Sequence, residues 1–281
     1  ALPYDKLGLT ERNNRVLLQC INQPYGLVLV VGPTGSGKTT TLHSAISVIN
    51  TPETKIWTAE DPVEITQRGL RQVQVHPKIG FTFAAALRSF LRADPDVIMV
   101  GEMRDQETAE IGVESSLTGH LVFSTLHTNS APETVTRLLD MELDPFSFSD
   151  AILCILAQRL CRRLCDCKQE YQPDRKELEE IIMEYGVEEF KTTGINPAGI
   201  RLCKAVGCPK CGESGYKGRL GIHELLQGTD EMKTLIKRKS EIEQIRRQAI
   251  TDGMTTLKQD GILKCFQGLT DLREVRKVCI K

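Results

Sequence analysis

Gly32-Pro33-Thr34-Gly35-Ser36-Gly37-Lys38-Thr39 is the stretch that decides the fold. It satisfies G-x-x-x-x-G-K-[ST] at every fixed position. An apolar run, Leu27–Val31, precedes it, and a helical pattern over Thr39–Ile49 follows. That order predicts a phosphate-binding loop between a buried strand and a helix. Its glycines let backbone N–H groups turn inward around phosphate oxygens. The helix N-terminus adds partial positive charge. Lys38 is expected to reach the β and γ phosphates, and Thr39 Oγ to ligate Mg²⁺, which prefers oxygen donors. The candidate nucleotide cradle is Gly32, Pro33, Thr34, Gly35, Ser36, Gly37, Lys38, Thr39 and Thr40.

Outward from the loop, short apolar runs alternate with helical stretches through residue 150. Lys55–Thr58, Val97–Val100 and Leu121–Thr125 read as strands, and Phe83–Arg92 and Glu107–Leu117 as helices, the latter capped by Asp105. Strands apolar on both faces and separated by helices predict an α/β fold with a mainly parallel sheet. Thr66–Val75 alternates more and fits an edge strand. After Pro145 the texture changes: Phe146–Cys165 reads as one long helix. Lys168–Ile200 is charged, with a helix over Arg175–Tyr185, and the whole insert 168–207 looks too charged to bury much core. Glu241–Ile250, Gly253–Phe266 and Leu272–Val278 close the chain as helices. The expected division is a nucleotide-binding core at 1–150, a long helix plus cysteine-rich subdomain at 151–226, and a helical subdomain at 227–281.

Composition narrows the classes. The 281 residues carry a net charge of −1, with 40% hydrophobic and 26% charged residues, an ordinary globular mix. Near-neutrality argues against a protein devoted to coating nucleic acid, while leaving room for a local basic groove. The apolar runs fall far short of the roughly 20 residues of a membrane span. The chain opens at Ala1 without Met, which reads as a fragment of a longer protein lacking upstream domains.

Acids and histidines fall where an α/β sheet gathers ligands, at carboxyl ends of strands. Glu102 follows Val97–Val100 and is placed to act on the Mg²⁺ shell or on water. Glu60 follows the Lys55 strand and is placed to polarise water or support the Mg²⁺ shell. His120 and His127 bracket Leu121–Thr125, and His127 is positioned to sense a γ-phosphate. Arg88 and Arg92 lie four apart on one helix face and could neutralise phosphate charge in cis or across a subunit interface.

Ten cysteines without an export signal point away from disulfides. Cys165-Asp166-Cys167 and Cys208-Pro209-Lys210-Cys211 form two pairs, and four thiolates suit tetrahedral Zn²⁺. The second pair has C-x-x-C spacing; the first is tighter, with Cys161 and Cys203 as possible substitutes.

GPTGSGKTTT, AEDPVE, LRADPDVIMVGEMRD, SLTGHLVFSTLHTN, LAQRL and GYKGRLGIHELL occur in this order. Together they resemble the secretion ATPase superfamily, in its type II secretion and type IV pilus extension branch. The resemblance implies a RecA-like P-loop core and ATP hydrolysis with ATP, Mg²⁺ and Zn²⁺. It also implies a homohexamer peripheral to the cytoplasmic face of the inner membrane. The implied partners are the inner-membrane platform protein and a cytoplasmic-face docking protein, with no nucleic acid expected. Glu102 takes the place of the Walker B glutamate, which implies a general base or water-positioner, Glu60 lies in the Asp box, and His120 and His127 lie in the His box. The cysteine pairs fall where the assembly branch carries its zinc subdomain. The alternative reading is an ATPase of a type IV secretion or DNA-transfer system.

Overall fold

The computed structural model describes residues 1–279. Its described residues divide into two compact units: 1–158 with 224–254, and 159–223 with 255–279. The helices expected to close the chain as one subdomain are therefore shared between the two units.

The first unit is the α/β layer. Its elements in order are α1 (Glu11–Ile21), β1 (Gly26–Val31), α2 (Lys38–Ile49), β2 (Ile56–Glu60), β3 (Leu70–Gln74), α3 (Phe83–Leu91) and β4 (Val97–Val100). Then follow α4 (Gln106–Leu117), β5 (Leu121–Leu126), α5 (Ala131–Asp140) and α6 (Pro145–Ala151). The next strand is β6 (Ile152–Leu164). The sheet has seven strands in the order β3-β2-β4-β5-β1-β6-β9, where β9 is Tyr216–Gln227. β1 pairs in parallel with β5 and β6, β2 with β3 and β4, and β4 with β5. Every residue of β1, β4 and β5 is buried, which is why these strands read as unbroken apolar runs. β3 is the edge strand that the weaker alternation predicts.

Local signals agree with this layout. Thr10, Thr82 and Asp105 each accept the N–H three residues on and start α1, α3 and α4. One core cluster joins Leu17 and Ile21 of α1, Leu42 and Ile46 of α2, Phe123 of β5, Leu156 of β6 and Leu225 of β9. Each such fully buried side chain contributes on the order of 1.5–3 kcal/mol.

The structure corrects the long helix. Phe146–Cys165 is a seven-residue helix, α6, followed by a thirteen-residue strand, β6. Ile152-Leu153-Cys154-Ile155-Leu156-Ala157 is apolar at every position, so its periodicity does not separate a buried helix from a strand buried on both faces. Pairing with β1, in register from Cys154 opposite Val28 to Ala157 opposite Val31, makes it a strand.

The second unit begins within β6 and continues through β7 (Gln169–Tyr171), α7 (Arg175–Tyr185), α8 (Val187–Thr192) and β8 (Leu202–Lys204). α9 (Asp230–Lys237) and α10 (Ile242–Thr251) belong to the first unit, and α11 (Leu257–Phe266) and α12 (Leu272–Val278) to the second. β7 and β8 form an antiparallel pair. The segment expected to be too charged for a core does build one: Ile181, Tyr185, Phe190, Ile200 and Leu202 are buried. Tyr185 meets Phe190 edge-on at 5.8 Å, and Gln259 Nε2 donates to Tyr185 O at 2.8 Å. The segment's charges face water while its apolar residues point inward, as amphipathic α7 and α8 require.

Candidate nucleotide site and cysteine centre

The loop Gly32–Gly37 leaves the carboxyl end of β1 and ends at α2, whose N-cap is Gly37 in the left-handed region. Gly32 is fixed by close approach: a Cβ there would lie 2.5 Å from Ser36 Oγ and 2.6 Å from Gln158 O. Gln158, on β6, braces the loop from beneath. Its Nε2 donates to Ser36 O at 2.7 Å, and its Oε1 accepts from Thr41 Oγ1 at 2.6 Å. Gln158 lies within the LAQRL stretch, but the sequence alone assigns it no role, because a polar residue inside an apolar run shows its partners only in the fold.

Lys38 Nζ donates to Gly32 O at 2.6 Å and to Pro33 O at 3.2 Å, and lies 3.2 Å from His127 Nδ1. An ammonium only donates, so Nδ1 must accept and the imidazole proton resides on Nε2. His127 Nε2 lies 3.0 Å from Glu102 Oε1, and Arg104 Nε donates to Glu102 Oε2 at 2.6 Å. The chain Lys38–His127–Glu102–Arg104 therefore holds both oxygens of the candidate base. Arg104, not singled out from the sequence, lies over the Phe83 ring at 5.9 Å.

Glu60, at the carboxyl end of β2, is 3% exposed. His43 Nε2 lies 2.9 Å from its Oε1, while Thr58 Oγ1 (2.8 Å) and Gln72 Nε2 (2.9 Å) donate to its Oε2. Burial by itself would raise the Glu60 carboxyl, but these hydrogen bonds outweigh it and hold the group below the usual carboxylate range. Thr39, Glu60, Asp61, Glu64, Glu102 and Arg104 line one cleft. This concentration of hard oxygen donors fits a divalent cation such as Mg²⁺.

Other candidates lie elsewhere. His120 sits at the opposite end of β5 from His127, its Nδ1 3.0 Å from Ser115 O, and does not line the cleft. Arg88 is exposed and ion-paired with Glu107, and Arg92 caps α3 at the surface.

In the second unit, Cys165, Cys167, Cys208 and Cys211 converge, their sulfurs all within 4.8 Å of one another. Cys165–Cys208 and Cys208–Cys211 are 3.8 Å apart and Cys167–Cys211 3.9 Å. Tetrahedral zinc with bonds of about 2.3 Å needs sulfurs about 3.8 Å apart, so the set fits. Cys165 follows β6, and the Cys208 pair brackets a 3-10 turn, Pro209–Cys211. Gly215, at φ +84°, closes the knuckle where a Cβ would strike Ala205 at 2.6 Å. The N–H groups of Cys208 and Gly215 each donate to Cys211 Sγ at 3.2 Å. Burial would raise the Cys211 thiol, but these donors prevail and bring it down to about 6, ready to bind metal as thiolate. Cys161 stands outside the set, and burial pushes its thiol up to about 12.

The family described as "Type II/IV secretion system protein" matches residues 1–277. The "Type IV pilus assembly ATPase PilB" of Myxococcus xanthus is 48% identical over 98% of this chain and 47% of its own length. The "Type II secretion system protein E" of Pectobacterium carotovorum is 47% identical over 99% of this chain and 53% of its own. The chain thus spans about half the length of these curated relatives. The crystal structure of the pilus retraction motor PilT with bound ADP superposes with a TM-score of 0.68 at 29% identity, covering 98% of this chain and 66% of that one.

Proposed function

We propose, on the premise that this chain belongs to the Type II/IV secretion system protein family, that it is the ATP-hydrolysing motor portion of a secretion or pilus-assembly machine. The observation that carries the reading is the chain Lys38–His127–Glu102–Arg104 beside a cleft of oxygen donors at the carboxyl ends of β2 and β4. A phosphate-binding lysine and an acid base are linked there through one imidazole.

The residues suggest a sequence of events. The loop N–H groups and the α2 N-terminus receive the phosphates. Lys38 exchanges the Gly32 and Pro33 carbonyls for phosphate oxygens, which takes its proton away from His127 Nδ1. His127 can then turn, freeing Glu102 Oε1 to accept a proton from the attacking water. Glu60, already oriented by three hydrogen bonds, holds its carboxylate toward the same cleft. Thr39 and the acids of the cleft would hold Mg²⁺, which supplies charge neutralisation on the phosphates. Arg88 and Arg92 do not line this cleft and are exposed, which suits a role toward a neighbouring subunit in a homohexamer. The four clustered cysteines would hold a structural Zn²⁺.

In the cell this motor would act peripherally at the inner membrane with a platform protein and a docking protein. Among the described residues no helix is long and apolar enough to cross a membrane. The test is ATP turnover by the full-length assembled protein. Glu102→Gln should retain ATP binding and lose turnover by about 10²–10⁴-fold, the range of a removed general base. Wild-type turnover in that variant would end the assignment.

A further inference from the structure

The stretch GYKGRLGIHELL runs along β9, and its single acid, Glu224, does not line the nucleotide cleft. Glu224 is 4% exposed, and Leu225 and Leu226 beside it are fully buried. A carboxylate in such surroundings is costly unless it is hydrogen-bonded. Successive residues of a strand point to opposite faces. Leu225 joins the core with α1 and α2, so Glu224 points to the other face. There its Oε1 accepts the N–H of Ala131 at 2.9 Å. Ala131 is the first residue of α5, where the N–H has no acceptor within the helix. The carboxylate also meets the partial positive charge of that helix end.

The start of α5 is also the end of the segment that carries His127. Leu126 closes β5, and His127, Thr128, Asn129 and Ser130 lead into α5. Three of these four are fastened to the first turn of α5. Thr128 Oγ1 lies 2.6 Å from Thr134 Oγ1, the N–H of Asn129 donates to Glu133 Oε2 at 3.0 Å, and Ser130 Oγ accepts from the N–H of Glu133 at 3.2 Å. This connection and the start of α5 therefore shift as one body. His127 reaches the other way, with Nδ1 3.2 Å from Lys38 Nζ and Nε2 3.0 Å from Glu102 Oε1. The Lys38 contact is already at the long end of the hydrogen-bond range, so a displacement of about 0.5 Å breaks it.

We infer, building on the motor reading in which His127 turns to free Glu102, that Glu224 is a positioning residue for His127. By holding the N-terminus of α5 to β9, it keeps the imidazole between Lys38 and Glu102. Helix initiation alone does not call for it, because the Ser130 side chain already caps α5. Burial in an edge strand does not call for it either, since an apolar side chain would fill the same place at lower cost. What the carboxylate adds is a tie across 93 residues of chain, from the sheet edge to the segment that ends at His127. A shift of about 1 Å at a reacting group costs about 10²-fold in rate, so such a tie acts on turnover without touching nucleotide.

The test pairs a turnover cycle with a spectrum. In the full-length assembled protein, Glu224→Met fills the volume and removes the acceptor. Its kcat should fall about tenfold or more, with KM for ATP within about threefold of wild type. Glu224→Gln keeps an acceptor oxygen without the charge and should lose about threefold. In a His127→Ala background, Glu224→Met should cost less than about twofold further, because its effect passes through a ring already gone. Equal losses in both backgrounds, or wild-type kcat in Glu224→Met, would overturn the inference. If Glu224→Met does not fold, Glu224→Gln decides: a loss seen only with His127 present supports the role, and an equal loss in both backgrounds, or none, overturns it. Nitrogen-15 NMR of the five histidines of the nucleotide-free chain reads the ring directly, with His127→Ala identifying its signals. Wild-type His127 should carry its proton on Nε2 alone, and the Glu224 variant that folds should mix the two tautomers. Unchanged His127 signals would overturn the inference. Wild-type turnover in His127→Ala would end the relay of the motor reading instead, and the ring signals would then decide on Glu224.

Discussion

Thr58→Val isolates one strut of the Glu60 network. Thr58 and Glu60 are two apart on β2 and so share a face. Thr58 is fully buried, and its hydroxyl donates to Glu60 Oε2 at 2.8 Å. Valine keeps the branched shape and the strand preference, so no cavity opens and the donor alone is lost. A hydrogen bond to a charged group contributes about 1.5–3 kcal/mol. Gln72 remains on the same oxygen, which keeps the loss near about 2 kcal/mol, or about 30-fold in the unfolding equilibrium. Trp57, the chain's single tryptophan, stands beside Thr58 with its ring 5.2 Å from Phe90, so its fluorescence during urea unfolding reports on this unit.

The pH dependence follows from the direction of the shift. The folded Glu60 carboxyl titrates below its unfolded value of about 4.3. Its contribution is therefore present above that value and is lost as pH falls through the folded one. The gap between wild type and Thr58→Val should hold steady from pH 7 to about 5 and narrow in more acid solution, where the acceptor becomes neutral. A gap below about 0.5 kcal/mol at neutrality, or one unchanged in acid, would refute a charge-assisted bond at this position.

Three further outcomes are expected. Gly32→Ala should abolish nucleotide binding by calorimetry while the sheet stays folded, because the new methyl meets Ser36 Oγ and Gln158 O at 2.5 and 2.6 Å. Chelation should release zinc and speed hydrogen exchange around Cys165–Cys167 and Gly207–Gly215, while α7 and α8 stay protected by Ile181, Tyr185 and Phe190. In the full-length assembly, mixing Arg88→Ala or Arg92→Ala subunits with Lys38→Ala subunits should restore part of the ATP turnover if either arginine acts across an interface. No regain in any mixture would make them structural.

The sheet was legible in the sequence because β1, β4 and β5 are buried throughout, and such strands leave uninterrupted apolar runs. The loop was legible because its glycines answer a local demand. β6 was not, since an equally apolar run suits a helix, and only the neighbouring β1 decides. Glu60, Glu102 and His127 could be placed at strand ends from the sequence, but what holds them could not. His43 lies in α2 and Gln72 in β3, and each is ordinary in its own segment. Their role arises from elements distant along the chain. The cysteine pairs announced themselves by spacing, while the apolar residues of α7 and α8 were hidden among charges that face water.

The interleaving of the two units bears on how the protein is made. The chain passes from one unit to the other at 158/159, 223/224 and 254/255. Arg12, near the start, donates to Leu225 O at 2.6 Å across a separation of 213 residues. At a synthesis rate of about 5–20 residues per second, that acceptor emerges roughly 10–40 s after Arg12. β1 emerges early in that interval and β6 about two thirds of the way through it, both ahead of β9, and the core around Leu17 and Phe123 lacks Leu225 until its end. The nascent nucleotide-binding layer thus exposes an open sheet edge until most of the chain has left the ribosome. Chaperone dependence should peak in that window, and a truncation ending at residue 158 would carry the entire phosphate loop yet leave that edge permanently bare.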